Sequence, residues 1–191
     1  MMPHQPPALE QIRSQWGGES DLWVFAYASL IWRPDFEVEE KRLALVQGWH
    51  RSLSMWSRIN RGTPERPGLV FALLAGGSCK GLALRVPRRH ADDALQSLWA
   101  REMPTGVYTP RWLLCRTDQG AVQALAFTLP KSSPSYTGQL QDAHYRQIFS
   151  DTQGGRYGST LDYAQQTHAA LRSLGIQDSA LNALLAFAPV G

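Results

Sequence analysis

Two features of this chain can do chemistry. The first is Glu102, which continues the stripe Ala91, Leu95, Leu98 at steps of four, three and four, so that all four side chains project from one face of a helix. A carboxyl group pointing where a core should be is desolvated, which disfavours its charged form and raises its pKa toward neutrality. Such a group takes and returns a proton near pH 7. The second feature is the end of the apolar run that starts at Leu22, which passes without a charge into the small residues Ala28 and Ser29 and stops at Pro34. A tight turn of small residues presents bare main-chain N–H groups that bind a carboxylate or an oxyanion. A proton-transfer group and an anion-binding turn together point to an enzyme.

Glu102 also has a plainer reading. It stands two residues before Pro104, where a helix frays, and there it faces water or pairs with Arg101 or Arg111. Asp92, Asp93, Glu39, Glu40 and Glu65 lie in charged or polar stretches that read as solvated faces. Ser29 lacks a Gly-x-Ser-x-Gly elbow and an identifiable histidine base, so it reads as a binding or turn residue. Gly154-Gly155-Arg156-Tyr157-Gly158 lacks the Gly-Lys-Ser/Thr ending of a phosphate loop and reads as a flexible connector able to close over a site.

These residues need a scaffold, and the hydrophobic periodicity supplies one. Residues 22–28 are apolar at both alternating sets of positions, as in a strand covered on both faces. Two strands are expected around Gly48 within 41–56, two more at 69–75 and 81–86 flanking a Gly76-Gly77-Ser78 hairpin, and another two at 111–117 and 121–129 around Asp118-Gln119-Gly120. The segment 58–68 is too rich in Pro, Gly and Arg for regular structure. Helices are expected over 88–103, 138–150, 160–174 closed by Gly175, and 178–187 capped by Asp178. The strand count before residue 130 predicts an α+β fold, a small closed or nearly closed mixed β-barrel with surrounding α-helices.

With 191 residues and 43% hydrophobic content, one domain over 21–191 is the natural expectation, preceded by a flexible leader or short helix over 1–20. That leader has no apolar run long enough for a signal peptide or a membrane span, so a cytoplasmic protein without membrane partners is expected. Cys79 and Cys115 lie far apart without Cys-x-x-Cys spacing and read as buried free thiols. The five histidines show no metal-binding spacing, and neither a metal nor another cofactor is expected. The formal net charge is +3, but the arginines are spread over several segments, which argues against nucleic acid as a partner.

Four segments in this order resemble the ChaC-type gamma-glutamylcyclotransferases: residues 24–32 (Val-Phe-Ala-Tyr-Ala-Ser-Leu-Ile-Trp), 61–68 (Arg-Gly-Thr-Pro-Glu-Arg-Pro-Gly), 77–81 (Gly-Ser-Cys-Lys-Gly), and Arg101-Glu102-Met103 followed by Gly106-Val107-Tyr108. The resemblance runs from about Leu22 to Gly175 and implies that family's barrel fold and its cleavage of glutathione into 5-oxoproline and cysteinylglycine. It assigns the catalytic acid to Glu102 and the backbone that holds the gamma-glutamyl head to Ala26, Tyr27, Ala28, Ser29, Leu30 and Ile31. A tyrosine of the C-terminal helices lines the family's pocket; Tyr163 is chosen over Tyr157 because it opens a stripe with Thr167, Ala170 and Leu174.

The chain also departs from the family. Ala26 and Ala28 replace the two glycines of the Gly-Tyr-Gly-Ser-Leu marker, Arg33 stands where asparagine is common, and Ser159-Thr160-Leu161 replaces a Gly-Pro-Asn-type approach. If Ala28 had to be left-handed it would cost on the order of 1 kcal/mol, and its methyl narrows the approach of a carboxylate. Three alternatives stay open: cyclisation of other gamma-glutamyl amines or amino acids, a catalytically impaired binder of a gamma-glutamyl metabolite, and a basic RNA- or partner-binding module using the seven tryptophans. The oligomeric state is not encoded in any pattern of this sequence.

Overall fold

The computed structural model describes residues 8–191, so residues 1–7 of the expected leader over 1–20 lie outside the described residues. Helix α1 occupies Leu9–Trp16. The strands are β1 (Leu22–Ala26), β2 (Glu40–Ser57), β3 (Gly68–Val86), β4 (Thr109–Thr117) and β5 (Gly120–Thr128). They close into a barrel in the order β1-β3-β2-β4-β5. β1 runs antiparallel to β3, from Leu22 opposite Val86 to Ala26 opposite Leu82, and parallel to β5 at Val24 and Leu125. β4 and β5 form an antiparallel hairpin, and β2 meets β4 at Leu45 and Arg116. The mixed α+β barrel expected from the sequence is the fold observed.

The chain divides into two compact units. One contains the described residues up to His50 with Ala75–Pro130, and the other contains Arg51–Leu74 with Lys131–Gly191.

The first unit holds β1, β4, β5, the first part of β2 and the last part of β3. Leu22, Val24, Phe25 and Ala26 are buried, as a strand covered on both faces requires. Gly81 lets β3 lie against β1, because a Cβ there would sit 2.3 Å from the Ala26 carbonyl oxygen. The short helix α2 (Ser29–Trp32) follows β1, and α3 (Arg88–Glu102) follows β3. α3 buries Ala91, Ala94, Leu95 and Leu98. Cys79 and Cys115 are free and buried; burial, with Cys79 as a second cause, pushes the Cys115 thiol up to about 12.

The expected breaks at Gly48 and at Gly76-Gly77 are not breaks. β2 and β3 each run through as one strand, with φ of 86° at Gly48, 104° at Gly76 and 70° at Gly77. Glycine adopts these angles at little steric cost, so the backbone kinks and continues where the residue types read as a turn.

The second unit holds α4 (Asp142–Ser150), α5 (Thr160–Ser173) and α6 (Ser179–Leu185) with the remaining parts of β2 and β3. Asp178 caps α6 through the Leu181 N–H and also pairs with Arg51 at 2.8 Å. The glycine-rich segment 154–158 is hydrogen-bonded to the preceding loop: the N–H groups of Arg156 and Tyr157 donate to the carbonyls of Ile59 and Asn60 at 2.8 and 2.9 Å. Instead of the expected flexible connector, it is a pinned turn, closed on itself by a Gly155–Gly158 bridge.

Candidate active site

β1 delivers the chain to Ala28, and one turn of helix takes it away. Of residues 26–31 only Ser29 is partly exposed; Ala26, Tyr27, Ala28, Leu30 and Ile31 are buried. The Tyr27 hydroxyl donates to the Phe127 carbonyl at 3.2 Å, which ties this segment to β5. The Ile31 N–H donates to the Ala28 carbonyl at 2.9 Å and the Arg33 N–H to the Ser29 carbonyl at 2.7 Å, which closes the turn. Ala28 has φ −146°, outside the left-handed region, so the methyl in place of a glycine hydrogen meets no left-handed strain here.

Glu102 ends α3 on the stripe read from the sequence, and its side chain is 16% exposed. It therefore sits at the rim of the core. Burial raises its pKa above the ordinary carboxylate value, against the pull of Arg101 and, through space, of Arg33. Both sequence readings of this acid are thus partly right: it is desolvated, and it pairs with Arg101 at 3.2 Å. The other suggested partner, Arg111, lies over the Trp49 ring at 5.6 Å.

Arg101 links the acid to the turn. Its Nη2 donates to Ser29 Oγ at 2.8 Å, and its Nη1 donates to the Arg33 carbonyl and to Asp35 Oδ2, the latter at 2.8 Å. Asp35 is left-handed, with φ 60°, a conformation that aspartate tolerates better than most residues. Its carboxylate also lies 3.5 Å from Arg33 Nε. The sequence named Arg101 as a neighbour of Glu102 but gave no sign of this bridge, because its partners lie 66 to 72 positions away.

Tyr163 lies in the second unit. It is buried, its hydroxyl accepts the Phe71 N–H at 3.1 Å, and the Arg61 guanidinium stands 5.1 Å from its ring centre. Tyr157 is exposed. Arg61 itself is buried and donates to the Tyr157 carbonyl at 2.7 Å, while Arg66 pairs with Asp151 at 2.9 Å. Among the described residues, no group of three or more His, Cys, Asp or Glu is arranged to hold a metal ion, and no helix is long and apolar enough to cross a membrane.

The barrel and its helices superpose on a solved gamma-glutamyl cyclotransferase specific to glutathione from yeast with a TM-score of 0.79, covering 88% of this chain and 96% of that one at 20% identity. This defines the fold as that of the gamma-glutamyl cyclotransferases. At the level of sequence, the ChaC-like protein family matches residues 22–189, and the chain belongs to that family. A glutathione-specific gamma-glutamylcyclotransferase of Escherichia coli is 34% identical over 168 residues, 87% of this chain and 72% of that protein. The human glutathione-specific gamma-glutamylcyclotransferase 1 is 30% identical over 173 residues, 84% of this chain and 77% of that protein.

Proposed function

We propose that this protein cleaves glutathione by intramolecular cyclisation, with Glu102 as general base and then general acid. The observation that carries the reading is the likeness to the Escherichia coli relative over 87% of the chain. The site offers the right chemistry for it. The substrate's α-amine attacks its own γ-carbonyl carbon, a new C–N bond closes a five-membered lactam, and the original γ-amide C–N bond breaks. The lactam nitrogen loses one proton to solvent and the freed amine of cysteinylglycine takes one up from solvent, while the ammonium proton that leaves before attack is returned to the departing nitrogen as 5-oxoproline forms. Glu102 carries that proton in both directions, a task suited to a carboxyl group whose pKa burial has raised.

The overall change needs no external nucleophile or redox partner, which makes the enzyme a carbon–nitrogen lyase. Folding the γ-glutamyl chain so that nitrogen faces carbonyl carbon supplies much of the rate, up to roughly 7–11 kcal/mol for intramolecular reactions of this kind. In this reading the backbone at residues 26–31 holds the γ-glutamyl head, with main-chain N–H groups at 28–30 facing its carboxylate or the oxyanion. Tyr163 is assigned to the pocket on the family resemblance. Residues 21–191 then act as one domain, and each of the long strands β2 and β3 contributes residues to both units. The protein works in the cytoplasm, a reducing compartment that the two free cysteines fit.

Incubation of the purified protein with glutathione, and in parallel with γ-glutamyl amino acids and γ-glutamyl amines, tests the reading by mass spectrometry of the products. The expected result is 5-oxoproline with cysteinylglycine from glutathione. 5-Oxoproline from the other substrates alone moves the specificity, and tight calorimetric binding without any product makes the chain a sensor.

A further inference from the structure

The bridge between the turn and the acid is made by a single side chain. The three guanidinium nitrogens of Arg101 are all engaged: Nε faces Glu102, Nη2 faces Ser29 Oγ, and Nη1 faces the Arg33 carbonyl and Asp35. Arg101 and Glu102 are 17% and 16% exposed, so water screens their pairing far less than it screens an ion pair on the surface. A planar fork with five fixed donors can meet four acceptors at once, and a lysine ammonium with three rotating donors cannot. All four acceptors belong either to the segment that follows β1 or to the proposed proton carrier.

We propose that Arg101 is the positioning residue of this site: one guanidinium that ties the segment Ser29–Asp35 to the Glu102 carboxylate and so sets the acid at a fixed place relative to the bound γ-glutamyl head. The proposal rests on the cyclisation reading above. It explains why an arginine stands beside the acid in a place that costs desolvation. The clamp does two things together. It holds the carboxylate oxygen in one direction, and it opposes the burial that would otherwise keep the acid protonated and useless as a base. The charged groups that face Glu102 are Arg101 on its own helix and Arg33 from the segment after α2, with Asp35 meeting both guanidiniums.

The Glu102 titration, followed by carbon-13 NMR of protein labelled at the glutamate carboxyls and assigned by difference from Glu102→Gln, tests this without needing turnover. In Arg101→Gln the Glu102 midpoint moves to higher pH. In Arg101→Lys it returns toward the wild-type position, while kcat stays about 100-fold low, the scale of loss that a misplaced reacting group brings, with KM little changed. Ser29→Ala, which removes one contact of the four, gives a smaller loss of kcat in a protein that keeps its remaining clamp. A purely structural arginine would lower thermal stability in all three variants and leave the Glu102 midpoint and the acidic limb of the kcat profile where they were, and that result overturns the proposal. Full activity in Arg101→Lys overturns the geometric half of it. If the wild type forms no 5-oxoproline from any γ-glutamyl compound, the functional reading fails by itself, and the NMR midpoints still decide whether Arg101 governs the acid.

Discussion

Arg85 and Arg101 gather similar sets of partners and do opposite things with them. Arg85 holds Asp21 at 2.7 Å, Glu39 at 2.9 Å and Glu40 at 2.8 Å in an outward-facing cluster that also includes Arg42 on Glu40. Hydrogen bonding to Arg85 lowers the pKa of Asp21, and hydrogen bonding to Arg42 and then Arg85 lowers that of Glu40. Arg101 faces a carboxylate too, yet Glu102 titrates above its ordinary value because burial outweighs the cation. What separates the two clusters is solvent: the same cation fixes a charge where water is near and only partly offsets its cost where water is excluded. A fixed charge ties elements together, and a poised charge can move a proton.

The widest gap between the clusters lies in turnover. Arg101→Gln lowers kcat about 100-fold, by misplacing the acid. Arg85→Met leaves kcat unchanged and lowers the melting temperature, because its partners Asp21, Glu39 and Glu40 are not among the residues assigned to the site. Steady-state assays and thermal melts on the two variants measure both, and equal losses of kcat would erase the distinction.

Stability against pH separates them next. Asp21 and Glu40 titrate below their ordinary values of 3.8 and 4.5, so the stability they contribute is present above those values and is lost on acidification. Glu102 titrates above 4.5, so its contribution is complete below that pH and is lost as pH rises through the folded-state value. In melts across pH, the melting temperature of wild type minus Arg85→Met therefore grows with rising pH, and that of wild type minus Glu102→Gln shrinks. Parallel slopes would mean that Glu102 is solvated like the Arg85 partners.

The smallest effect is expected at Ala28→Gly. With φ at −146° the alanine carries no left-handed strain, so the stability change stays under about 1 kcal/mol. Turnover stays near wild type; a large loss in the same assay would show that the methyl touches substrate.

Glu102 was legible in the sequence because helix periodicity is local: Ala91, Leu95 and Leu98 are buried, and the next position of that stripe falls on the acid. The same holds for Asp178, whose cap depends on residues three places away. The barrel was legible from strands that alternate or run apolar, although Gly48 and Gly76-Gly77 were misread, since a glycine kink inside a strand uses the residues of a turn. Helix α2 escaped notice, because four residues are too few for a period to show. The Arg101 bridge escaped for another reason. Its acceptors are a main-chain carbonyl, a hydroxyl and a carboxylate brought near only when β1 and α3 take their places. Nothing in the spacing of residues encodes such a meeting.

The account stands on a partly buried carboxylate that moves the proton of the cyclisation. Glu102→Gln, compared with wild type for 5-oxoproline release from glutathione and for glutathione binding by calorimetry, addresses this most directly. The expected outcome is retained binding with product formation lower by about 10²–10⁴-fold. Release of 5-oxoproline at the wild-type rate from a folded Glu102→Gln protein would contradict it.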